Sequence, residues 1–339
     1  MLGAILAILS AVTFAFNNAA VRRGVVTGTP GQAMAITVPI GVACFLLVAI
    51  ATGEIARLAQ FPPAAAAWMA GVGLLHFLLG RYCNYRANQA AGMNLTAPVI
   101  QLQVIVTLVL AVLILHEPCT VLQMIGGLLI LGGSLITQRQ PARSPVAVGA
   151  SSAGLNGSVP GDSIYAPAFA PRRVAGYLFA SLAALAYGTT PIMARSALEH
   201  TAPATGILGG LIAYGAATAV LALALVWSPL RQNVIALKRE NVLWFVNSGV
   251  FVAVAQGLFY AAVAVAPIMV VMPLMQLSLV FRLSFSKWVN PKHEVFGPLI
   301  TAGAVISIVG ACLVSVETNV ILDTLTAPEA LARVLRWRV

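Results

Sequence analysis

The sequence Asn-Leu-Thr-Ala-Pro-Val-Ile-Gln-Leu at positions 94–102 is followed by an apolar run that ends at a His-Glu pair at 116–117. A second stretch of the same kind, Met-Val-Val-Met-Pro-Leu-Met-Gln-Leu at 269–277, leads through another apolar run to a His-Glu pair at 293–294. The proline and the glutamine of the two stretches align after a shift of 175 residues, and the His-Glu pairs align after a shift of 177. The chain therefore contains two copies of one unit.

The composition is that of a membrane protein. Of the 339 residues, 60% are apolar and only 8% are charged, whereas roughly a quarter of the residues in a soluble domain carry charge. The net charge of +10 comes mostly from Lys and Arg in short connections between apolar segments, which is typical of juxtamembrane residues and argues against nucleic acid as a partner. The four cysteines have no paired spacing and no histidine partners, so neither a disulfide framework nor a metal site is expected.

Ten apolar segments are long enough to span a membrane, since a helix needs about 20 residues to cross a hydrocarbon core of about 30 Å. We refer to these segments as spans one to ten. They lie at about 2–21, 31–52, 65–86, 94–115 and 119–138, and at about 174–194, 203–227, 242–265, 267–288 and 295–316.

The two groups of five spans are separated by a flexible linker at 139–173, which is rich in Pro, Ser and Gly and has few apolar residues. Because five is an odd number, the two units cross the membrane in opposite orientations. The sequence therefore predicts an all-α polytopic protein of ten transmembrane helices in two inverted five-helix repeats. The repeats are expected at 1–138 and 174–316, followed by a tail at 317–339 with a short amphipathic helix.

Small sets of residues at matching places carry a resemblance to a known family. These are an aromatic-small pair in the first helix of each copy, a proline at the head of the fourth and a glutamate before the fifth, namely Phe14-Ala15 and Tyr187-Gly188, Pro98 and Pro273, and Glu117 and Glu294. The chain resembles EamA-type permeases of the drug/metabolite transporter superfamily over nearly all of its length outside the linker and tail. The resemblance implies a ten-helix transporter, and we expect it in the cell's inner (plasma) membrane.

The third span carries a polar stripe. Arg81, Asn84, Tyr85 and Asn88 are spaced i, i+3, i+4 and i+7, so that they share one face of a helix. Polar groups in a bilayer are costly when unpaired and usually face the interior of the protein. The stripe is therefore predicted to line a cavity. The alternative is that these side chains hold neighbouring helices together.

Polar residues of other spans are predicted to complete a central pathway with this stripe, and two prolines are predicted to break their helices and serve as hinges. The pathway residues are Asn94, Gln101, Asn17, Tyr187, Thr190, Gln256, Tyr260 and Gln276, and the hinges are Pro98 and Pro273.

No Asp or Glu lies inside any predicted span. An arginine without a buried acid favours an anionic or zwitterionic solute, and Arg81 is the candidate to bind it. Glu117 and Glu294 are interpreted as caps near the starts of helices five and ten, where negative charge suits the helix dipole. His76 could carry protons or be a hydrogen-bonded bystander.

The sequence thus predicts a secondary transporter that moves a small polar metabolite, such as an amino acid or organic acid, by alternating access, in the direction of export. Its partners are the small-molecule substrate and the lipid bilayer, no cofactor is expected, and small-residue stripes fit either internal packing or a homodimer. The alternatives are a membrane-embedded enzyme, for which no catalytic motif is present, and a multidrug cation exporter. The orientation of the termini stays open.

Overall fold

The computed structural model describes residues 2–115, 120–138, 170–198, 205–265, 274–275, 277–324, 326 and 328–337, and its regular elements are all helices. The first half contains α1 (Leu2–Thr27), α2 (Pro30–Ala51), α3 (Pro63–Val72), α4 (Arg81–Ala91), α5 (Met93–Ile100), α6 (Leu102–Leu115) and α7 (Val121–Gln138). The second half contains α8 (Arg173–Leu198), α9 (Thr205–Ala224), α10 (Ser228–Ile235), α11 (Arg239–Val265), α12 (Ser278–Val289), α13 (Pro298–Ser315), α14 (Thr318–Thr324) and α15 (Glu329–Leu335). The last of these is the short helix predicted in the tail.

Seven helical stretches among the described residues are long and apolar enough to cross a membrane. They contain α1, α2, α3 with α4, α5 with α6, α8, α9 and α11, which are the predicted spans one to four and six to eight. An eighth span is formed if α13 and α14, which are bent by 112°, count as one. Span five corresponds to α7, and span nine lies partly at 266–273 and 276, outside the described residues. The predicted all-helical, polytopic fold is confirmed, and its count of ten is consistent with these helices.

Large apolar side chains are exposed on the outside of the bundle. Leu47 on α2, Leu113 on α6, Leu128 on α7 and Leu223 on α9 are each about two thirds exposed. Single exposed leucines are normal on soluble proteins, but a surface in which most helices present them suits a hydrocarbon solvent.

The helices pack between the two halves more than within them. From the first half, α1 packs on α11, α2 on α9 and α7 on α13. From the second half, α8 contacts α3, α4 and α6. These contacts occur in symmetric pairs. Span one contacts span eight, and their counterparts in the other half, spans six and three, are also in contact. Likewise, the contact of α6 with α8 corresponds to that of α12 with α1. This is the contact pattern of two repeats related by a two-fold axis.

The third span changes its helical type before its polar stripe. Residues Gly73–Gly80 between α3 and α4 form a π-helix, in which the N–H of Arg81 donates to the carbonyl of His76. Such wide turns often occur at functional sites because they change the direction of the following side chains. Glycine stands at both ends of this segment, where a side chain does not fit. A methyl group on Gly73 would collide with the Ala213 carbonyl of α9, and one on Gly80 would lie 2.6 Å from the Tyr187 ring.

The fourth span follows the third after a single residue, Gly92, whose φ of 83° favours glycine. Pro98 lies inside α5, where it has no N–H to donate to the carbonyl of Asn94. The helix is interrupted three residues later, at Gln101, and continues as α6. The helix is therefore interrupted near the proline that the sequence marks as a hinge, at Gln101.

Candidate functional site

Arg81 is the first residue of α4 and is only 3% exposed. Its Nη2 donates to the Tyr214 hydroxyl at 2.9 Å, and its Nη1 lies 3.5 Å from the Thr37 carbonyl oxygen. The guanidinium also lies over the rings of Phe77 and Tyr214, 4.9 and 5.3 Å from their centroids. Among the residues that the structure describes, all of these partners are neutral and no carboxylate pairs with Arg81.

Aromatic and hydroxyl side chains surround this guanidinium. Phe77 and Tyr214 stack with ring centroids 3.8 Å apart, and the Tyr85 hydroxyl donates to Thr37 Oγ1 at 3.2 Å. On α8, the Tyr187 ring lies close to the residue before Arg81, since a methyl group on Gly80 would be 2.6 Å from it. Helices α2, α4, α8 and α9 thus meet at one polar centre, which we call the Arg81 site.

His76 lies next to this centre, in the π-helical segment. Its Nδ1 is 3.0 Å from Thr190 Oγ1, and its ring centroid is 4.5 Å from that of Tyr187. The histidine is therefore hydrogen-bonded to one predicted pathway residue and packed on another. On α11, Tyr260 packs on Phe45, which in turn packs on Tyr214. Gln256, one turn before Tyr260, is buried.

The C-terminal part of the polar stripe, Asn84 and Asn88, lies between Arg81 and the end of the third span. Asn88 Nδ2 donates to Asn84 Oδ1 at 3.1 Å, and the Thr96 hydroxyl donates to Asn88 Oδ1 at 2.9 Å. The backbone carbonyl of Asn88 accepts from Nη1 of Arg22 at 2.7 Å. Hydrogen bonds along α4 therefore extend from Asn84, which lies one turn from Arg81, to a second charged cluster.

The second cluster is a buried ion pair between the two halves of the chain. Arg22 on α1 is 1% exposed, and its Nε donates to Glu294 Oε1 at 2.9 Å. The same carboxylate accepts from the backbone N–H groups of Met93 at 2.8 Å and Asn94 at 3.0 Å, while Nη2 of Arg22 donates to the His293 carbonyl. We call these groups the Arg22–Glu294 cluster.

The position of Glu294 corrects the prediction made for it. The carboxylate caps the N-terminus of α5, in the other half of the chain, and not the start of the helix that follows it in sequence. Two free N–H groups at a helix start attract a carboxylate regardless of which chain segment supplies it. Burial raises the pKa of the Glu294 carboxyl, and the Arg22 guanidinium and the two N–H groups oppose that rise. Glu117, for which the same role was predicted, lies outside the described residues.

Gly92 allows this approach in two ways. Its positive φ turns the chain so that α5 can begin immediately after α4. A methyl group on Gly92 would lie 2.8 Å from Glu294 Oε2. A side chain at this position would both strain the backbone and displace the carboxylate.

The other predicted pathway residues are distributed over several places. Arg81, Asn84, Tyr85, Tyr187 and Thr190 lie at or beside the Arg81 site, whereas Asn88 and Asn94 belong to the Arg22–Glu294 cluster. Asn17 accepts from the Ser248 hydroxyl at 2.6 Å, a contact that joins α1 to α11. Gln101 lies at the break in span four, where Gln103 donates to it. Gln276 and Pro273 lie outside the described residues.

Sequence reasoning missed Tyr214, Thr37 and the pairing of Arg22. Thr37 lies in span two and Tyr214 in span seven, and neither span shows a polar stripe in the sequence. For Arg22 a signal existed, because the second copy has Arg195 after a shift of 173 residues. A charge repeated at the end of the first helix of both copies suggests a structural partner.

A helical chain that crosses the membrane many times, with polar and charged side chains gathered between its spans, has the architecture of a membrane transporter. The sequence comparison agrees and goes further. The model of the EamA-like transporter family matches residues 1–139 and 174–316, and the chain belongs to this family. It is therefore an integral, multi-pass membrane protein and a permease of the drug/metabolite transporter superfamily. The family consists of transporters and not of enzymes.

The remaining comparisons concern the fold alone. No curated protein matches the chain in sequence. A solved structure described only as a crystal structure of a protein is similar, with a TM-score of 0.60 and 17% identity, over 92% of this chain and 96% of that one. At this identity the similarity shows a shared fold and carries nothing about the substrate.

Proposed function

We propose that this permease moves a small zwitterionic or anionic metabolite, such as an amino acid or an organic acid, by alternating access between its two halves. The observation that carries the proposal is the charge of Arg81, which is buried in the third span and has only neutral partners among the described residues.

An ionised side chain inside a bilayer is costly and is usually paired with an opposite charge or used for function. The Tyr214 hydroxyl and the two aromatic faces stabilise the guanidinium without cancelling its charge. The carboxylate of a solute would supply the missing charge and would fit the planar fork of the guanidinium. A lipophilic cation would be repelled, and no acidic residue lies inside a span to attract it.

Alternating access is supported by the position of the Arg22–Glu294 cluster. It joins α1 and α5 of the first half to the connection between α12 and α13 of the second half. In a transporter built from two repeats, contacts of this kind close one end of the pathway and must separate before that end can open. Hydrogen bonds extend from this cluster through Asn88 to Asn84, which lies one turn of α4 from Arg81.

The proposal includes export and a location in the plasma membrane, both of which rest on the family resemblance alone. The direction can be measured in cells loaded with a labelled solute, by comparing its efflux with and without expression of the permease.

Transport by the purified protein in proteoliposomes tests the Arg81 site. We expect Arg81→Ala to lower the flux of anionic and zwitterionic solutes at least tenfold, because it removes a charge-assisted contact of about 1.5–3 kcal/mol. Arg86→Gln is the matched control: Arg86 donates to Gln89 at 3.0 Å and lies over the Phe179 ring, away from the Arg81 site. Unchanged flux of all such solutes in Arg81→Ala would overturn the proposal.

A further inference from the structure

The tail of the chain is held at one end of the helix bundle, beside the start of α7. Thr120, just before α7, and Thr318, the first residue of α14, have their Oγ1 atoms 2.6 Å apart. The backbone N–H of Val121 donates to the carbonyl of Trp337 at 3.0 Å. Because α7 begins and α13 ends beside these contacts, the tail lies where these two apolar helices reach the membrane surface.

A sharp bend keeps the tail at this surface. α13 has 18 residues, and at about 1.5 Å per residue its length of about 27 Å nearly covers a hydrocarbon core of about 30 Å. The axis of α14 is turned by 112° from that of α13, so α14 runs closer to parallel with the membrane than across it. Since α15 follows α14 and ends beside the start of α7, both short helices lie in the interfacial region.

The helix α15 has the two faces of an interfacial helix. Leu331 and Val334, one turn apart, are each more than half exposed, and the helix contacts α7. Glu329, Arg333 and Arg336 are spaced i, i+4 and i+7, so they share a different face. Exposed apolar side chains beside a basic face are typical of helices that lie in the headgroup region of a bilayer.

The basic face of α15 borders a surface pocket. The pocket has a volume of about 290 Å³ and is lined by Glu329, Arg333, Arg336 and Trp337. Since a water molecule occupies about 30 Å³, this space is large enough for a phosphate group with a small substituent. Two arginines and one glutamate give the lining a net positive charge. The Trp337 ring is 69% exposed, and tryptophan is enriched where membrane and water meet.

The two arginines of the pocket have charge available for a ligand. Among the residues that the structure describes, no carboxylate pairs with Arg333. Arg336 Nη2 lies 3.5 Å from Asp323 Oδ1, but the two side chains are 49% and 74% exposed, and exposed pairs of this kind are weak. Guanidinium forks bind phosphate oxygens through paired hydrogen bonds. A phosphate group therefore suits these two side chains.

We propose that this pocket binds the headgroup of an anionic membrane phospholipid, with its phosphate on Arg333 and Arg336 and its acyl chains beside Leu331 and Val334. The phosphate comes from a lipid and not from a free anion because the basic pocket adjoins exposed apolar side chains at the membrane surface. The pocket shares no residue with the Arg81 site, so the proposed transport function stands whether or not lipid binds here.

Fluorescence quenching by brominated lipids tests this site, with the full chain in vesicles of phosphatidylcholine. Bromine on the acyl chains quenches only nearby tryptophans, and the signal of Trp337 is the difference between the wild-type protein and Trp337→Phe. Brominated phosphatidylglycerol should quench Trp337 at a roughly tenfold lower mole fraction than brominated phosphatidylcholine does, because basic residues at the membrane surface attract anionic lipid.

Substitution of the two arginines should abolish this preference. Each variant is measured with and without Trp337→Phe, and its melting temperature in detergent shows whether it is folded. Arg333→Gln combined with Arg336→Gln is expected to respond equally to the two lipids. Arg333→Gln alone should lower the preference roughly threefold, and it decides the outcome if the double variant does not fold.

Two controls separate a site from a general attraction between charges. Arg333→Lys combined with Arg336→Lys keeps both charges but loses the forks, so part of the preference should remain. Arg57→Gln is the matched control, since Arg57 is 62% exposed in the connection between α2 and α3 and should not affect the lipid beside Trp337.

Equal quenching by the two lipids in the wild-type protein overturns the proposal. A preference that persists without both arginines also overturns it, because another part of the surface would then select the lipid. An equal loss in Arg57→Gln would show a general attraction of the basic protein for anionic lipid and no site at α15. If an excess of inorganic phosphate removes the preference, the pocket binds a free anion and the lipid proposal is wrong.

Discussion

Arg22 and Arg81 are both buried in the first half of the chain, with 1% and 3% of their surface exposed, but their surroundings are opposite in kind. The partners of Arg22 include a carboxylate at 2.9 Å and the backbone carbonyls of Asn88 and His293. Arg81 has a phenol hydroxyl, a distant carbonyl and two aromatic faces. Two residues of the same type and similar burial thus differ in whether their charge is cancelled within the protein.

The difference separates a structural role from a binding role. A buried pair that is complete holds segments together, and removing one partner leaves the other charge unpaired. A buried charge with neutral partners is available to a ligand. Removing it weakens ligand binding more than it lowers the stability of the fold. The two arginines should therefore give opposite results when stability and transport are measured side by side.

The largest effect is expected for Glu294→Gln. Because this change removes the carboxylate that lies 2.9 Å from Arg22 Nε while the guanidinium stays buried, the free energy of unfolding should fall by about 3–5 kcal/mol. Thermal unfolding in detergent measures this loss. Asp323→Asn is the control, since its side chain is 74% exposed beside Arg336 and an exposed pair contributes at most about 1 kcal/mol.

A double variant distinguishes charge from shape in the same cluster. Arg22→Met combined with Glu294→Gln removes both charges of this pair, so it should be more stable than Glu294→Gln alone. If the double variant were the less stable of the two, the pair would not act through its charges.

Gly92→Ala should have the next largest effect, about 3 kcal/mol, because the φ of 83° and ψ of 157° are almost restricted to glycine and the new methyl group would displace the Glu294 carboxylate. Gly53→Ala is a matched control with a φ of 75° and open space around it. This control should cost about 1 kcal/mol. Equal losses of melting temperature in the two variants would show that the carboxylate does not constrain Gly92.

Arg81→Gln should reverse the pattern seen in the Arg22–Glu294 cluster. Transport of anionic and zwitterionic solutes should fall by about tenfold to a hundredfold, as expected for a charge-assisted hydrogen bond, while the melting temperature should change little because no opposite charge is left unpaired. Flux and thermal unfolding measured on the same preparation check both halves of this prediction. A large loss of stability with full transport would show that Arg81 has a structural role and not a binding role.

The smallest effect is expected for Tyr214→Phe, which removes the hydroxyl that orients Arg81 but keeps the ring stacked on Phe77. Transport should fall severalfold, as for the loss of about 1 kcal/mol. Tyr85→Phe, whose hydroxyl contacts Thr37 and not Arg81, is the comparison. If the two variants transport equally well, the Tyr214 hydroxyl does not position the guanidinium.

Much of the fold could be predicted because the hydrophobic requirement of a membrane span acts on each segment separately. The apolar runs, the linker and the shift of about 175 residues between the copies are all visible along the chain. The third span was predicted at 65–86, and it extends to Ala91 because the polar stripe through Asn88 is buried by other helices. A span predicted from hydropathy ends where polar residues begin. In the folded protein the helix can continue through these residues when other helices bury them.

The candidate site was predicted in part. Helical spacing placed Arg81, Asn84, Tyr85 and Asn88 on one face, and the structure buries all four. It did not reveal that Asn88 serves the Arg22–Glu294 cluster, or that Tyr214 from a span without polar periodicity reaches Arg81. The contacts join residues 66 and 133 positions apart, and no local pattern encodes such pairings.

The sequence by itself determined that this is a helical membrane protein, because transfer from water to lipid acts on composition and periodicity alone, and its internal repeat predicted two copies of a five-helix unit. It also showed that a charged stripe enters the third span. Only the tertiary structure decided which buried charge is paired. Glu294 lies 272 residues from Arg22 and caps a helix of the other half, since a carboxylate binds whichever guanidinium and free N–H groups the folded chain brings to it.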